Sequence, residues 1–161
     1  MSPTEADHPN VARVRAYAAE RGHPIEVRRF AASTRTAEDA AREIGTEVAR
    51  IVKSLVFVAS GAPVIVLASG PTRVDERALA ATLEAGAVRR ATAEEAKAFT
   101  GYAIGGVPPF AHARACRVVL DEALLGLDLV WAAAGLPDAV FAIAPADLAR
   151  IAGAEVAAVA R

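Results

Sequence analysis

The sequence predicts a mixed α/β fold, with a mainly antiparallel sheet or a partly closed β-barrel and flanking helices. Short β-branched apolar runs mix with segments of helical period, and no strict strand–helix–strand alternation or internal repeat is visible. A chain of 161 residues is long enough to bury a substantial core, so we expect a single domain over 1–161. With 54% hydrophobic but only 5% aromatic residues, that core should consist mainly of small and branched aliphatic side chains.

The first part of the chain contains helical segments marked by caps and strands marked by β-branched runs. Val11, Val14 and Ala18 recur at helical spacing. Thr36, a residue type preferred at helix N-caps, precedes the second helix, and Gly45 ends it. Ser60-Gly61-Ala62 separates two apolar runs and predicts a hairpin. The predicted elements are a helix over 9–21, a strand over 25–30, a helix over 36–45, strands over 48–59 and 63–68, a helix over 75–84 and a strand over 87–90.

The second part begins with Thr92 and Glu95, whose spacing is that of a helix capping box. Gly101 ends that helix and opens a loop, and Pro145 is placed to begin the last helix. The predicted elements are a helix over 92–101, strands over 117–121, 129–133 and 140–143, a helix over 145–152 and a closing segment over 156–159.

Composition restricts the functional classes. A formal net charge of −1 argues against binding nucleic acid by bulk electrostatics, so any RNA contact should be local. The single cysteine, Cys116, excludes an internal disulfide framework and fits a reducing compartment. The amino-terminal residues lack the apolar region of a signal peptide, and no apolar run is long enough for a transmembrane helix. We therefore expect a cytoplasmic protein with no membrane partner.

Lys53 is the most informative single residue. Only Lys53 and Lys97 among the eighteen basic residues are lysines. Strand alternation places Lys53 on an apolar face with Ile51, Leu55 and Phe57. Its ammonium must therefore reach a carboxylate, a cavity or a bound anion, or extend to solvent at the strand end. Periodicity alone does not separate a pocket cation from a solvent-directed lysine.

The loop GYAIGGVPPFAH, residues 101–112, contains three glycines and two prolines. Such composition usually marks a surface turn. Gly105 and Gly106 would also let backbone N–H groups approach a ligand, and Pro108-Pro109 would stiffen the segment. We predict that the loop forms part of a pocket, with Phe110 as a wall. The loop residues predicted to bind substrate are Gly101, Val107, Pro108, Pro109, Phe110 and His112.

Three further residues have structural and functional interpretations. His112 could titrate near neutral pH, although an isolated loop histidine is more often structural than catalytic. Thr36 is expected to act first as a helix cap, and Asp138, in Gly-Leu-Pro-Asp, as a turn residue. Both are also predicted to contribute to substrate binding.

Several common mechanisms have no support in the sequence. The three histidines are far apart and one cysteine is present, so no zinc-ligand spacing is visible. The sequence also lacks the Gly-x-Ser-x-Gly, P-loop and Gly-x-Gly-x-x-Gly patterns. We expect neither a metal nor a cofactor.

Two motifs, taken together, resemble those of the YbaK/ProX family of aminoacyl-tRNA deacylases: Arg-Ile-Val-Lys53-Ser-Leu-Val-Phe and Gly-Gly-Val-Pro-Pro-Phe-Ala-His112. This family is related to the editing domain of bacterial prolyl-tRNA synthetases. The resemblance extends from the helix beginning at Thr36 to Leu148. It implies a pocket between the lysine strand and the glycine loop, in which the lysine helps to hold the terminal adenosine and the loop surrounds the aminoacyl ester. Ala111 departs from the glycine that is common in relatives, so a positive φ would be disfavoured there and the end of the loop is expected to differ.

The resemblance implies a trans-editing enzyme that hydrolyses the ester of a mischarged small amino acid on tRNA, with tRNA for proline as the first expectation. Lys53, Gly105 and Gly106 are the expected catalytic residues. Partners would be the acceptor end of mischarged tRNA and an aminoacyl-tRNA synthetase, with no DNA. Two alternatives remain: a non-catalytic RNA- or ligand-binding module of the same fold, and a general small-ester hydrolase.

Overall fold

The computed structural model describes residues 8–30 and 36–161, and these form five α-helices and eight β-strands. The helices are α1 (Pro9–Glu20), α2 (Ala37–Ile44), α3 (Glu76–Leu83), α4 (Ala93–Thr100) and α5 (Pro145–Ala152). The strands are β1 (Val27–Arg29), β2 (Val52–Ala59), β3 (Ala62–Ser69), β4 (Val88–Arg90), β5 (Arg117–Asp121), β6 (Val130–Ala133), β7 (Ala139–Ile143) and β8 (Glu155–Ala157).

The strands form two sheets. One has three antiparallel strands in the order β1-β7-β6, and the other has five strands in the order β4-β2-β3-β5-β8. In the larger sheet β2 pairs antiparallel with both β3 and β4, whereas β3–β5 and β5–β8 are parallel. The mixed, mainly antiparallel α/β class is therefore confirmed. The two sheets are not closed into a barrel. Within the described residues, an isolated parallel bridge between Ile51 and Trp131 connects the start of β2 to β6.

The hairpin between β2 and β3 has a two-residue turn. Ala59 pairs with Ala62, and the intervening Ser60 and Gly61 have φ angles of 51° and 79°. Positive φ at both central residues is the geometry whose twist matches that of paired strands. The predicted hairpin is confirmed, with the turn one residue shorter than the sequence indicated.

The predicted strand over 48–59 begins too early. Val48–Arg50 form a turn of 3₁₀-helix, and β2 starts at Val52. The apolar Val48 packs against a small buried cluster formed by Ala40 and Ala41 of α2 and by Ile51. Burial against a helix, rather than pairing in a sheet, therefore accounts for the β-branched residue at this position.

The two faces of the larger sheet cover different parts of the core. Val52 and Val56 of β2 point towards the main core, which includes α1 and the three-stranded sheet. Phe57 points to the opposite face, where it joins a second cluster with Leu79 and Leu83 of α3. Lys53 lies two and four residues before Leu55 and Phe57, so alternation places it on this second face. No helix in the described ranges is long and apolar enough to cross a membrane.

Candidate active site

A cavity of about 300 Å³ lies beside the first half of β2. Its walls come from α2, β2, the end of β4, α4, the glycine loop, β6 and β7. Polar side chains on the wall belong to Thr36, Lys53, Ser54 and Arg90. The remaining wall is largely apolar and includes six alanines: Ala37, Ala40, Ala91, Ala96, Ala132 and Ala133. A small, mostly apolar cavity with a few polar groups is typical of a small-molecule site.

The cavity occupies a gap along one edge of β2. Strand β4 pairs with β2 only from Phe57 to Ala59, and the Ala91 N–H donates a 2.9 Å hydrogen bond to the Val56 carbonyl. Because alternate residues of a strand direct their backbone groups to the same side, the backbone of Ser54 faces this edge. Between Val56 and the Ile51 bridge, the described residues supply no paired strand on that side. The gap therefore presents backbone polar groups to a ligand.

Lys53 lies on the cavity wall and is partly buried. Its Nζ donates a 2.7 Å hydrogen bond to the carbonyl of Thr72. Burial lowers the pKa of its ammonium, the positive charges of Arg90 and Arg73 lower it further, and Glu38 opposes them. No carboxylate within the described residues forms a salt bridge with Lys53. The lysine is thus positioned by a neutral carbonyl, which leaves its charge available to an anionic or polar ligand.

Gly105 and Gly106 have different roles in the loop. Gly105 lines the cavity and has a φ of +94°, a conformation that favours glycine. Gly106 is buried and its N–H donates to the Ala103 carbonyl at 2.9 Å. A Cβ at Gly106 would lie 3.0 Å from the Leu136 Cα, so glycine there permits close packing on the β6–β7 turn. Of the two glycines, only Gly105 has its N–H without a hydrogen-bond partner in the described chain.

Hydrogen bonds within the glycine loop and to the end of α4 fix its shape. The Tyr102 N–H donates to the Thr100 hydroxyl at 3.1 Å, and the Tyr102 hydroxyl donates to the Ala111 carbonyl at 2.8 Å. Ala111 has a φ of +68°. Ala111 thus adopts the left-handed conformation that the sequence indicated as disfavoured for alanine. The loop holds the left-handed conformation because the buried Tyr102 hydroxyl and the surrounding core secure both sides of Ala111.

His112 does not line the cavity. Its Nε2 lies 2.7 Å from the Pro108 carbonyl, and since a carbonyl can only accept, Nε2 carries the proton. Burial lowers the pKa of the imidazole, while the bond to Pro108 opposes that shift. This contact links the end of the loop to Pro108 and agrees with the interpretation of His112 as a structural residue.

The other predicted loop residues divide between the cavity and the core. Val107 lines the cavity, whereas Pro108 and Pro109 are buried outside its lining. Phe110 is also absent from the lining: it lies in the core, with its ring centroid 5.2 Å from that of Tyr17. Gly101 caps the end of α4 in the left-handed conformation. Pro108, Pro109 and Phe110 thus anchor the loop in the protein interior and do not form the cavity wall.

Thr36 and Asp138 also have different positions. The Thr36 hydroxyl accepts a 3.1 Å hydrogen bond from the Asp39 N–H as the cap of α2, and Thr36 lines the cavity as well. Asp138 lies in the β6–β7 turn, where its carboxylate forms a 3.2 Å salt bridge with Arg29. The neighbouring Pro137, rather than Asp138, contributes to the cavity wall.

Sequence reasoning did not identify Arg90, Ser54, Trp131 or Ile104 as cavity residues. Two of them carried a signal: Trp131 is the only tryptophan of the chain, and Ile104 is a large apolar residue within a glycine-rich loop. Ile104 is 54% exposed, an unusual position for isoleucine. The Ser54 hydroxyl is inaccessible to solvent and has no hydrogen-bond partner in the described chain. No cluster of three His, Cys, Asp or Glu side chains that could hold a metal is found in the described ranges.

Comparison with known proteins identifies the family of the domain that contains this cavity. The family model of the aminoacyl-tRNA editing domain matches residues 31–151, which include the cavity, Lys53 and the whole glycine loop. The chain belongs to the aminoacyl-tRNA editing domain family. The editing domain therefore contains both motifs from which the resemblance was inferred, and the family assignment is confirmed.

Similar proteins include chains of comparable length and segments of longer ones. A solved structure described as a candidate trans-editing enzyme for prolyl tRNA synthetase is 42% identical, with a TM-score of 0.90 over 96% of this chain and 99% of that one. The uncharacterized protein YwhH of Bacillus subtilis is 35% identical over 124 residues, covering 76% of this chain and 78% of YwhH. The proline–tRNA ligase of Lactobacillus acidophilus is 36% identical over 98 residues, 61% of this chain but 17% of the ligase. The segment that resembles this chain is thus a small part of that ligase.

Proposed function

We propose that this editing domain is a trans-acting aminoacyl-tRNA deacylase, which hydrolyses the ester between a mischarged small amino acid and the terminal ribose of tRNA. The observation that carries the proposal is the position of Lys53 and Gly105 on the wall of one small, alanine-lined cavity. Family membership and the likeness to a candidate trans-editing enzyme for prolyl tRNA synthetase support it. The first expected substrate is mischarged tRNA for proline, and the expected compartment is the cytoplasm.

The cavity size supports a small aminoacyl group. A volume of about 300 Å³ is at the lower end of ligand pockets, so little room remains once a small side chain and part of the ribose are bound. Alanine methyl groups restrict the acyl side chain by volume. Deacylases of this kind are needed because a synthetase gains only ~1–3 kcal/mol from one methylene when it discriminates between similar amino acids.

We further propose how the reaction proceeds. Water adds to the ester carbonyl, the resulting oxyanion accepts a hydrogen bond from the Gly105 N–H, and the C–O bond to the ribose then breaks. The ribose oxygen leaves with a proton, and the free amino acid is released. The neighbouring ribose hydroxyl of the substrate orients or activates the water, because His112 is held by Pro108 away from the cavity. Lys53 binds the terminal nucleotide and fixes the ester.

The decisive experiment is deacylation of a panel of tRNAs charged with alanine, serine, cysteine and proline, alongside a simple aminoacyl ester without a nucleotide. Hydrolysis of one or more mischarged tRNAs, with the simple ester stable, is expected. Binding without turnover of any tRNA would indicate the non-catalytic module, and turnover of the simple ester would indicate a general esterase.

The water-activation step has its own test. A tRNA with a 2′-deoxyadenosine terminus and the amino acid on its 3′ oxygen should bind but react slowly, while His112→Ala should keep most of its rate in the folded fraction. Normal turnover of the deoxy substrate together with an inactive but folded His112→Ala would replace the ribose hydroxyl with a histidine base.

A further inference from the structure

Arg89 and Arg90 are adjacent on β4 but have different surroundings. The Arg89 guanidinium forms two hydrogen bonds with the Glu95 carboxylate, at 2.7 and 2.8 Å. The Arg90 guanidinium lies 5.4 Å from the centre of the Phe57 ring, on the wall of the cavity. No carboxylate in the described chain pairs with Arg90. One arginine is thus neutralised by a carboxylate, and its neighbour is not.

Arg90 is part of a group of positive charges at the cavity. Lys53 shares the wall with Arg90, and both Arg90 and Arg73 act electrostatically on the Lys53 ammonium. Arg73 is exposed, follows the Thr72 carbonyl that Lys53 binds, and has no salt bridge in the described chain. Among the described residues, Glu38 is the one carboxylate found to act electrostatically on Lys53. Positive charge therefore exceeds negative charge around Lys53, and an anion that binds there would reduce the repulsion between the cations.

The ring beneath Arg90 adds direction to that charge. A guanidinium near an aromatic face is attracted to the ring, and this contact leaves its N–H groups able to donate hydrogen bonds to an oxyanion. Arg90 is exposed, so its N–H groups can also reach beyond the cavity. Arginine binds phosphate oxygens through two parallel N–H groups more readily than lysine does. These properties suit a phosphodiester just outside the space that the acyl group would fill.

We infer that Arg90, assisted by Arg73 and Lys53, forms a binding site for the phosphodiester between the last two nucleotides of the bound RNA. The inference rests on the proposed function, since it assumes that an RNA 3′ end enters the cavity. In this arrangement Arg90 is a positioning residue: it fixes the register of the RNA end, so that the ester lies next to the Gly105 N–H. The cavity then selects the acyl group, and the cations at the cavity entrance select the nucleic acid.

The test measures binding without hydrolysis. The trinucleotide CCA, which has phosphodiesters, and adenosine, which has none, are titrated into wild-type protein, Arg90→Ala and Arg89→Ala with NMR detection. Arg90→Ala should bind CCA about tenfold more weakly, because a hydrogen-bonded charge pair is lost. It should also reduce the slope of log affinity against log salt by about 0.7. Its affinity for adenosine should be unchanged, and Arg89→Ala, which removes the same charge from the same strand, should bind both probes like the wild type.

Other outcomes would overturn the inference. Equal losses for Arg90→Ala and Arg89→Ala would mean that net charge alone matters. An equal loss for adenosine would place Arg90 against the base or ribose. Wild-type affinity of Arg90→Ala for CCA, or no detectable binding of CCA to the wild-type protein, would remove the site. If inorganic phosphate binds as tightly as CCA with the same dependence on Arg90, the ligand is a free phosphate. Because the probes carry no amino acid, these results are independent of whether the protein is a deacylase.

Discussion

The Tyr102 hydroxyl donates a 2.8 Å hydrogen bond to the Ala111 carbonyl and so connects the two ends of the glycine loop. Tyr102 is fully buried, and this burial raises the pKa of its phenol, so the hydroxyl remains a donor at neutral pH. The cavity residue Gly105 lies between these ends. The geometry of the site therefore depends on a tyrosine that does not line it.

Tyr102→Phe should destabilise the fold by about 1–2 kcal/mol, because the buried Ala111 carbonyl loses its partner. Deacylation by the folded protein should also fall, since the loop no longer holds Gly105 as firmly. Urea unfolding and single-turnover deacylation measure the two effects. The matched control is Tyr17→Phe, whose hydroxyl has no hydrogen-bond partner in the described chain. Equal effects of the two substitutions would show that the Tyr102 hydroxyl has no special role.

Ala111→Gly should leave the stability within about 0.5 kcal/mol of the wild type or raise it. Glycine relieves the left-handed strain at φ +68°, which offsets the loss of a buried methyl group and the added chain entropy. Ala139→Gly is the comparison, because Ala139 is a fully buried strand residue. It should cost about 1 kcal/mol or more. A similar cost at both positions, measured by denaturant unfolding, would show that Ala111 is unstrained.

Lys53→Ala should reduce deacylation at least a hundredfold while the protein remains folded, because its charge serves the ligand and its own contact is one neutral carbonyl. Lys53→Arg should also fail, since the planar guanidinium does not fit the space of a compact ammonium. Lys97→Ala, at the exposed second lysine of the chain, is the control and should be fully active. Wild-type rates in folded Lys53→Ala would remove Lys53 from the site.

The stability of the protein should fall below neutral pH through His112. Burial lowers the pKa of His112 in the folded state, so the unfolded state, with a pKa of about 6.5, binds more protons as the pH falls. The stabilisation is complete above about pH 6.5 and is lost as the pH falls towards the folded pKa. The unfolding free energy of His112→Gln should therefore change less between pH 7 and pH 5 than that of the wild type. His23→Gln, outside the loop, should retain the wild-type profile; identical profiles for all three proteins would contradict this origin.

The sequence was most informative where a local signal coincided with the fold. Caps at Thr36 and Thr92 and the glycine at 101 located helix ends, and the lysine among arginines marked a cavity residue. It was least informative where long-range packing decides. Val48 has β-strand propensity but packs on α2. Phe110 lies in the loop predicted to form the pocket, but its side chain is part of the core. Arg90 was missed because only the fold shows that Glu95 pairs with Arg89 and not with Arg90.

If the protein is the deacylase proposed above, the six alanines on the cavity wall act as an adjustable size filter. They come from α2, the end of β4, α4 and β6, so the volume can be reduced from several directions without moving Lys53 or the glycine loop. Alanine and valine codons differ by a single base, and each such change adds bulk to one part of the wall. A filter of this kind rejects amino acids by exclusion: a side chain that is too large stays outside, whereas every smaller one can enter. Under the proposed function, homologues could therefore diverge by point mutation alone in the amino acids they accept, while the residues proposed to bind the RNA end stay the same.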